Sequence, residues 1–344
     1  MLKNVINAFF FYKTRDFRYK FAQNSIFLYQ IRGEYAQAVK EQTTTMEFIE
    51  HKSCPLCKSD AIKKRFACKD MFATGEEFDI VECAACGFVF TRKYPDEKEI
   101  GKYYESPKYI SHSNTAKGFT NKVYHLVRKI MLRNKRRLVE RLTLLKNGKL
   151  LDYGAGTCYF AHAMQQAGWD VTAIEKSPAA RELAKKELNM DAKPESALAD
   201  IKDKELDVVT MWHVMEHIQE LDTMWSELYR ILDDTGIAII AVPNNRSYDA
   251  RHYKEHWAAY DVPRHLWHFT PSTIMRWGER HRFILERQYT MPFDGFYISM
   301  LSQQYKGGRF ATAKGLWYGF KGWLAQCKRR SASSSLIFVF RKRK

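Results

Sequence analysis

The sequence predicts an α/β protein: a doubly wound parallel sheet covered by helices on both faces, with a small metal-binding module ahead of it. Three observations carry that expectation. Strand-length apolar runs at 149–153, 170–175, 190–193, 206–211 and 236–242 alternate with helical patterns at 159–167, 178–188 and 221–232, the rhythm of parallel strands joined by helical crossovers. The first strand enters its helix through a glycine turn, "DYGAGTCYF" at 152–160. Upstream, "CPLC" at Cys54–Cys57 and "CAACG" from Cys83 set two C-x-x-C pairs 25 residues apart.

Bulk properties narrow the class. With 344 residues, 45% of them apolar, the chain can bury two domain-sized cores. No run approaches the roughly 20 apolar residues that span a bilayer. The N-terminal "VINAFFFY" is too short for a signal h-region and leads into "KTRDFRYK" without a small-residue cleavage site, so a cytoplasmic protein is expected. In a reducing compartment seven scattered cysteines are not a disulfide framework, and clustered pairs point to metal. The net charge of +17 is uneven: residues 117–149 carry +10 and 295–344 carry +11, while 150–294 carry −7. Basic flanks of this kind suit nucleic acid, anionic lipid or a phosphorylated substrate, and equally a solvated helix face.

Taken in order, residues 1–46 form an aromatic, basic extension with no period and no assigned role. Residues 47–92 form the metal module. Residues 93–148 are a linker followed by basic amphipathic helices: Phe119, Val123, Leu126, Val127, Ile130, Met131, Leu138, Leu142 and Leu145 recur at helical spacing, with Arg133, Arg136, Arg137 and Arg141 mostly off that stripe. Residues 149–344 form the α/β domain. Pro178 fits the first turn of its helix, and Thr235-Gly236 ends the last one. A ligand belongs at the carboxyl ends of the strands, beside the first.

The glycine turn selects among ligands. A dinucleotide turn needs a third glycine where Tyr159 stands, and Asp152 at the strand end would repel a pyrophosphate at the helix N-terminus. A ligand with a positive end fits better. S-adenosylmethionine carries an ammonium and a sulfonium and no phosphate. Glu175, 21 residues after Gly154, ends the second strand where a carboxylate can accept both ribose hydroxyls.

"LLDYGAGTCYF", "VTAIEKSP", "LDVVTMWHVMEHI" and "GIAIIAVPN" together resemble the motif series of class I S-adenosylmethionine-dependent methyltransferases, over roughly residues 119–342. The resemblance implies a Rossmann-like, seven-stranded, mostly parallel sheet whose last strand, Leu336–Phe340, lies antiparallel beside the fifth. It also implies that Asp152, Gly154 and Gly156 hold the methionine part of the donor and Glu175 the ribose. Glu195 or Ser196 would lie by the adenine and His213 would line the donor pocket. Cys158 replaces the family's third glycine, and its small side chain is expected to fit. Glu216 and His217 are expected to brace the loop after the fourth strand.

Cys54, Cys57, Cys83 and Cys86 match a closed tetrahedral Zn²⁺ site of zinc-ribbon type, whose metal supplies folding energy to a module too small to stand alone; a pair of redox dithiols is the competing account. Cys68, Cys158 and Cys327 are read as plain thiols. The long insertion 244–271, with four histidines and "DVPRHLWHFTP", interrupts the alternation at the ligand edge, where acceptor pockets form. His265 is the candidate base, with Asp261 to orient it and Arg264 to hold an anionic acceptor. The alternative is that Asp261 and Arg264 form a structural ion pair.

Three functions follow: methylation of a small sugar-, quinone- or metabolite-like acceptor, phosphorylated or not; methylation of RNA through the basic flanks; or a donor-binding subunit that transfers nothing. The first is preferred. No N-P-P-aromatic tetrapeptide follows the fourth strand, which disfavours amino-group methylation of bases, and the intact motif series disfavours the third. In the tail, Leu316, Trp317, Phe320, Trp323 and Leu324 form the apolar side of a helix, expected to pack on the core, with contact to a membrane surface as the other account.

Overall fold

The computed structural model describes residues 47–104 and 119–343, with side chains from Arg128 onward in its first helix. The extension 1–46, residues 105–118 of the linker, and the side chains of Phe119, Val123, Leu126 and Val127 lie outside the described residues. The chain runs β1 (Phe48–Glu50), β2 (Ile62–Lys69), β3 (Glu77–Cys83), β4 (Val89–Thr91), β5 (Lys93–Pro95), α1 (Phe119–Thr143), β6 (Lys149–Tyr153), α2 (Tyr159–Gln165), β7 (Asp170–Ile174), α3 (Pro178–Leu188), β8 (Leu206–Trp212), α4 (Leu221–Ile231), β9 (Leu232–Pro243), α5 (Tyr248–Tyr253), β10 (Trp267–His268), α6 (Pro271–Arg280), β11 (Phe283–Thr290), α7 (Asp294–Lys306), α8 (Ala311–Lys328) and β12 (Ser335–Lys342).

The main sheet has the order β7-β6-β8-β9-β12-β11. Its first four strands are parallel, and β12 runs antiparallel to β9 and to β11. This is a Rossmann-like α/β sheet. The centre is dry: Ile237 to Val242 of β9 are all buried, which is why this strand reads as one continuous apolar run. The helices start where their caps place them. Ser177 accepts the amide of Ala180 with Pro178 in the first turn, and Thr270 and Thr273 form a capping box ahead of α6.

Two sequence expectations need correction. Six strands, not seven, make the sheet among the described residues. The run at 190–193 contributes one bridge, Ile174 to Lys193, because Asn189 before it is left-handed and Pro194 after it has no amide to donate. The second concerns the tail: α8 does not send its apolar side chains into the core. Leu316, Trp317, Phe320, Trp323 and Leu324 are all exposed, while its inward face is Gly315, Gly319 and Gln326. Strand β11 carries no clean two-residue alternation, because a register shift falls between Leu285 and Arg287.

The cysteine module is joined to the rest. Its ribbon β1–β5 closes at Pro95, beyond residue 92, and its sheet, β2-β3-β4, takes β10 of the 244–271 insertion as a fourth strand. Cys54, Leu56, Phe88 and Phe90 share one apolar cluster with Leu266, Trp267, Phe269 and Trp277.

Candidate functional site

The carboxyl ends of β6, β7 and β8 form the donor side. In-register pairing sets Asp152 beside Thr210, and the Thr210 hydroxyl donates to Asp152 Oδ1 at 2.7 Å. Asp152 is buried. Burial raises its carboxyl to about 7, against the pull of the Thr210 hydrogen bond and the Lys135 ammonium. The glycine turn lies across the end of β7: the amides of Gly154 and Ala155 both donate to Ile174 O, at 2.8 and 2.9 Å. Gly154 has φ +72°, and a Cβ there would meet Val214 Cγ2 at 2.4 Å, so only glycine fits. A Cβ on Gly156, φ +55°, would meet nothing within 4 Å; its backbone borders open space. Cys158 takes φ +61° at the start of α2, a left-handed geometry that a glycine would adopt without strain.

Glu175 fastens the same turn. Its Oε2 accepts the Gly156 amide at 2.7 Å and its Oε1 the Ser177 amide at 2.8 Å. Glu195 and Ser196 open a 3₁₀ segment, Glu195–Asp200, and Glu195 accepts the Tyr153 hydroxyl at 3.1 Å. His213 lies between two carboxylates, Asp294 Oδ2 at 3.1 Å from Nε2 and Glu216 Oε1 at 3.4 Å from Nδ1. Burial would lower its pKa, but the two acids outweigh that and raise it to about 9, so the ring is charged at neutral pH.

Lys135 escaped the sequence reading. Its ammonium lies 4.1 Å from the Trp212 ring centroid, is depressed by burial, and feels Asp152 and Asp294. The signal was present: Lys135 falls on the stripe of Met131, Leu138 and Leu142, where a cation is out of place. A buried carboxylate with one hydroxyl partner, a cation near it, and a glycine whose Cβ direction is empty fit the two ends of an amino-acid-bearing donor.

The wall expected to face an acceptor is built from the insertion. Leu266 N donates to Glu216 O at 2.8 Å, and Thr91 N on β4 donates to Leu266 O at 2.9 Å, so the strap holding His265 is pinned between the post-β8 loop and the cysteine module. His265 Nδ1 donates to Ala259 O at 2.8 Å, which leaves Nε2 as the free basic nitrogen. Asp261 does not orient the ring as expected; its Oδ2 stands 3.9 Å from Nε2. It is instead held by Arg264, through Nε at 3.0 Å and Nη2 at 2.7 Å.

Arg264 is a correction too. Its guanidinium is buried and also donates to Asp70 Oδ1 at 2.9 Å and Tyr103 O at 2.8 Å. Four hydrogen bonds on a buried guanidinium leave one N–H and no free fork to clamp an anionic acceptor, and the ion-pair alternative describes it. Glu216, His217 and His265 each bring one ligand-type atom within 4.8 Å of the others. Glu216 already has His213 as counter-ion, and His217 Nδ1 donates to Arg264 O at 3.0 Å, with its pKa lowered to about 4 chiefly by burial.

At the four cysteines, Cys54 Sγ is 3.6 Å from Cys86 Sγ and Cys57 Sγ 3.5 Å from Cys83 Sγ, and all four sulfurs lie within 4.8 Å. Tetrahedral Zn–S bonds of about 2.3 Å place sulfurs close to this separation, whereas a disulfide needs about 2.05 Å. Both knuckles close through a left-handed residue after the second cysteine, Lys58 and Gly87. The loop carbonyls of Pro55 and Leu56 accept from Arg280 on α6 at 3.2 and 3.1 Å. The residues fit the metal.

Comparison with known proteins covers the glycine turn and the 244–271 insertion alike. Residues 125–286 match the family model described as "Methyltransferase domain". The chain is similar to the ubiquinone biosynthesis O-methyltransferase of Pelagibacter ubique, 32% identical over 105 residues, 29% of this chain and 44% of that protein. It is also similar to the malonyl-[acyl-carrier protein] O-methyltransferase of Serratia marcescens, 27% identical over 146 residues, 40% of this chain and 55% of that protein. The chain spans about half the length of these curated relatives. Among solved structures it is similar to the 1,6-didemethyltoxoflavin-N1-methyltransferase of Burkholderia thailandensis, with 13% identity and a TM-score of 0.40 over 65% of this chain and 86% of that one.

Proposed function

We propose that the protein transfers a methyl group from S-adenosylmethionine to a hydroxyl of a small sugar-, quinone- or metabolite-like acceptor, in the cytoplasm. The observation that carries the chemistry is His265, whose Nδ1 is committed to Ala259 O and whose Nε2 is left to take a proton. Bound S-adenosylmethionine would supply an electrophilic methyl carbon. Asp152 holds the ammonium end, Lys135 the carboxylate end, the backbone of Gly154 and Gly156 the chain between, Glu175 the ribose, and Glu195 or Ser196 the adenine edge. His213, fixed by Asp294 and Glu216, lines the space between donor and acceptor. His265 removes the acceptor proton as the hydroxyl attacks. Both curated relatives are O-methyltransferases, which favours oxygen as the acceptor atom.

A small acceptor is favoured over RNA because three cations of α1 already lie over rings of this chain: Arg128 over Tyr159, Lys135 over Trp212 and Arg141 over Tyr289. Zn²⁺ on Cys54, Cys57, Cys83 and Cys86 serves as a structural ion that holds β4 against β10. The test is incubation of the full-length protein with methyl-labelled donor and metabolite extract, with and without ribonuclease. Label is expected in small molecules regardless of nuclease. Label in RNA, or none transferred by protein that binds donor, overturns the reading. Elemental analysis should find about one zinc per chain, and its absence from freshly purified protein refutes the metal assignment.

A further inference from the structure

The hairpin α7–α8 is inside out. Helices of soluble domains bury large apolar residues and expose small or polar ones, but α8 does the reverse. Its inward face approaches α7 so closely that a Cβ on Gly315 would lie 2.6 Å from Met300 Cα, and one on Gly319 2.8 Å from Phe296 Cα. Leu316, Trp317, Phe320, Trp323 and Leu324 point outward, each 37% to 54% exposed. Trp317 stacks on Phe320 and Phe320 on Trp323, with ring centroids 6.1 and 5.9 Å apart, so the side chains make one continuous slab. Phe310, at the turn into α8, is 69% exposed and extends it. Small residues between helices and aromatic residues outside are the arrangement of helices whose surroundings are lipid.

The charge pattern says which kind of lipid. Residues 295–344 contain no acid and eleven basic residues. Lys306, Arg309, Lys314, Lys328, Arg329 and Arg330 are exposed around the slab. A second copy of this surface would be repelled by that charge, whereas anionic headgroups are attracted to it. No described helix is long and apolar enough to cross a membrane, so contact is with the surface.

We propose that the α7–α8 hairpin docks the protein on an anionic membrane surface, with the Leu316–Leu324 slab in the headgroup region and the lysines and arginines on the phosphates. The docking stands apart from the methyl-transfer reading. It would face the acceptor side toward lipid, since α7 begins with the Asp294 that holds His213, and Ile298 and Tyr318 pack against the insertion's Tyr253, Trp257 and Tyr260.

Co-sedimentation of the full chain with vesicles tests it. Phosphatidylcholine vesicles with about 30% phosphatidylglycerol should retain the protein, and pure phosphatidylcholine should retain it at least about tenfold less. Trp317→Ser/Phe320→Ser/Trp323→Ser should weaken retention at least about tenfold with melting temperature unchanged, because the three side chains lie outside the core. Lys314→Glu/Lys328→Glu should abolish the preference for anionic vesicles, and it keeps the test valid if the triple variant misfolds. Absence of retention on anionic vesicles overturns the proposal. So does retention that neither variant changes, or a parent dimer, seen by sedimentation velocity, that the triple variant dissolves without affecting vesicle retention.

Discussion

The proposed donor side and the proposed acceptor side of this molecule are held together over very different sequence distances. On the donor side, Asp152 is fixed by its register partner on the next strand, and Glu175 binds the turn 19 residues before it. On the acceptor side, Arg264 reaches Asp70, 194 positions away, and Tyr103 O, 161 positions away. Thr91 of the cysteine module supports the backbone on both sides of Leu266. A site framed by sheet register leaves a compact motif. A site framed by a buried network between distant segments leaves only residue types that look available until the structure shows them occupied.

The largest expected effect sharpens this contrast at its centre. His265→Ala should lose roughly 10²- to 10⁴-fold in turnover, the usual scale of general acid–base catalysis, while binding S-adenosylhomocysteine as the parent does. The measurement pairs turnover with calorimetric affinity. Weakened donor binding would mean that the two sides are not separable as drawn.

Next comes the network. Asp70→Ala leaves the Arg264 guanidinium buried with Asp261 as its remaining carboxylate, and breaking a buried pair from one side costs about 3–5 kcal/mol. Denaturant unfolding should show that loss. Several amides and Arg264 hold the Asp70 carboxyl below its ordinary value despite burial. Its contribution is therefore present above about pH 4 and lost as pH falls through the depressed native value. Asp70→Ala with parental stability would refute the network's role.

These two residues show what was legible. The placement of Asp152, Gly154, Gly156 and Glu175 around one turn was legible because the strands that carry them have a plain period, and the strap carrying His265 because it interrupts the alternation. Asp70 was not, since nothing in "CKDMFATGEE" marks it as the partner of an arginine on another element. The glycines of α8 were legible as a helix pattern but not as its buried face, because periodicity locates a stripe without saying which side is inward. Strand 190–193 is cut to one bridge for a local reason, its flanking left-handed Asn189 and amide-free Pro194.

On the donor side the effects should be smaller and should leave folding intact. Glu175→Ala removes a charged acceptor, at about 1.5–3 kcal/mol of donor affinity. It also frees the Gly156 amide, so its loss should exceed that of Glu195→Ala, whose carboxylate accepts only the Tyr153 hydroxyl among the described residues. Calorimetry with S-adenosylhomocysteine ranks them, and the reverse order would relocate the ribose site.

The smallest effect is a pH dependence of donor affinity near neutral pH. In the free protein the Asp152 carboxyl titrates near 7, raised by burial and partly restrained by Thr210 and Lys135. Between its unfolded value near 4 and 7, the native state binds the extra proton, so this group makes the free protein less stable as pH rises across that window. The donor's ammonium requires the carboxylate form. Affinity should therefore rise with pH up to about 7 and then level off, falling below 7 by at most about tenfold per pH unit. Asp152→Asn cannot ionise and should bind weakly with no such slope. Lys135→Met removes a nearby cation, pushes the carboxyl higher and should move the plateau to higher pH. An Asp152→Asn protein that keeps the parental slope between pH 5.5 and 7.5 would assign the titration to another group, and a parent without a slope would place the ammonium elsewhere.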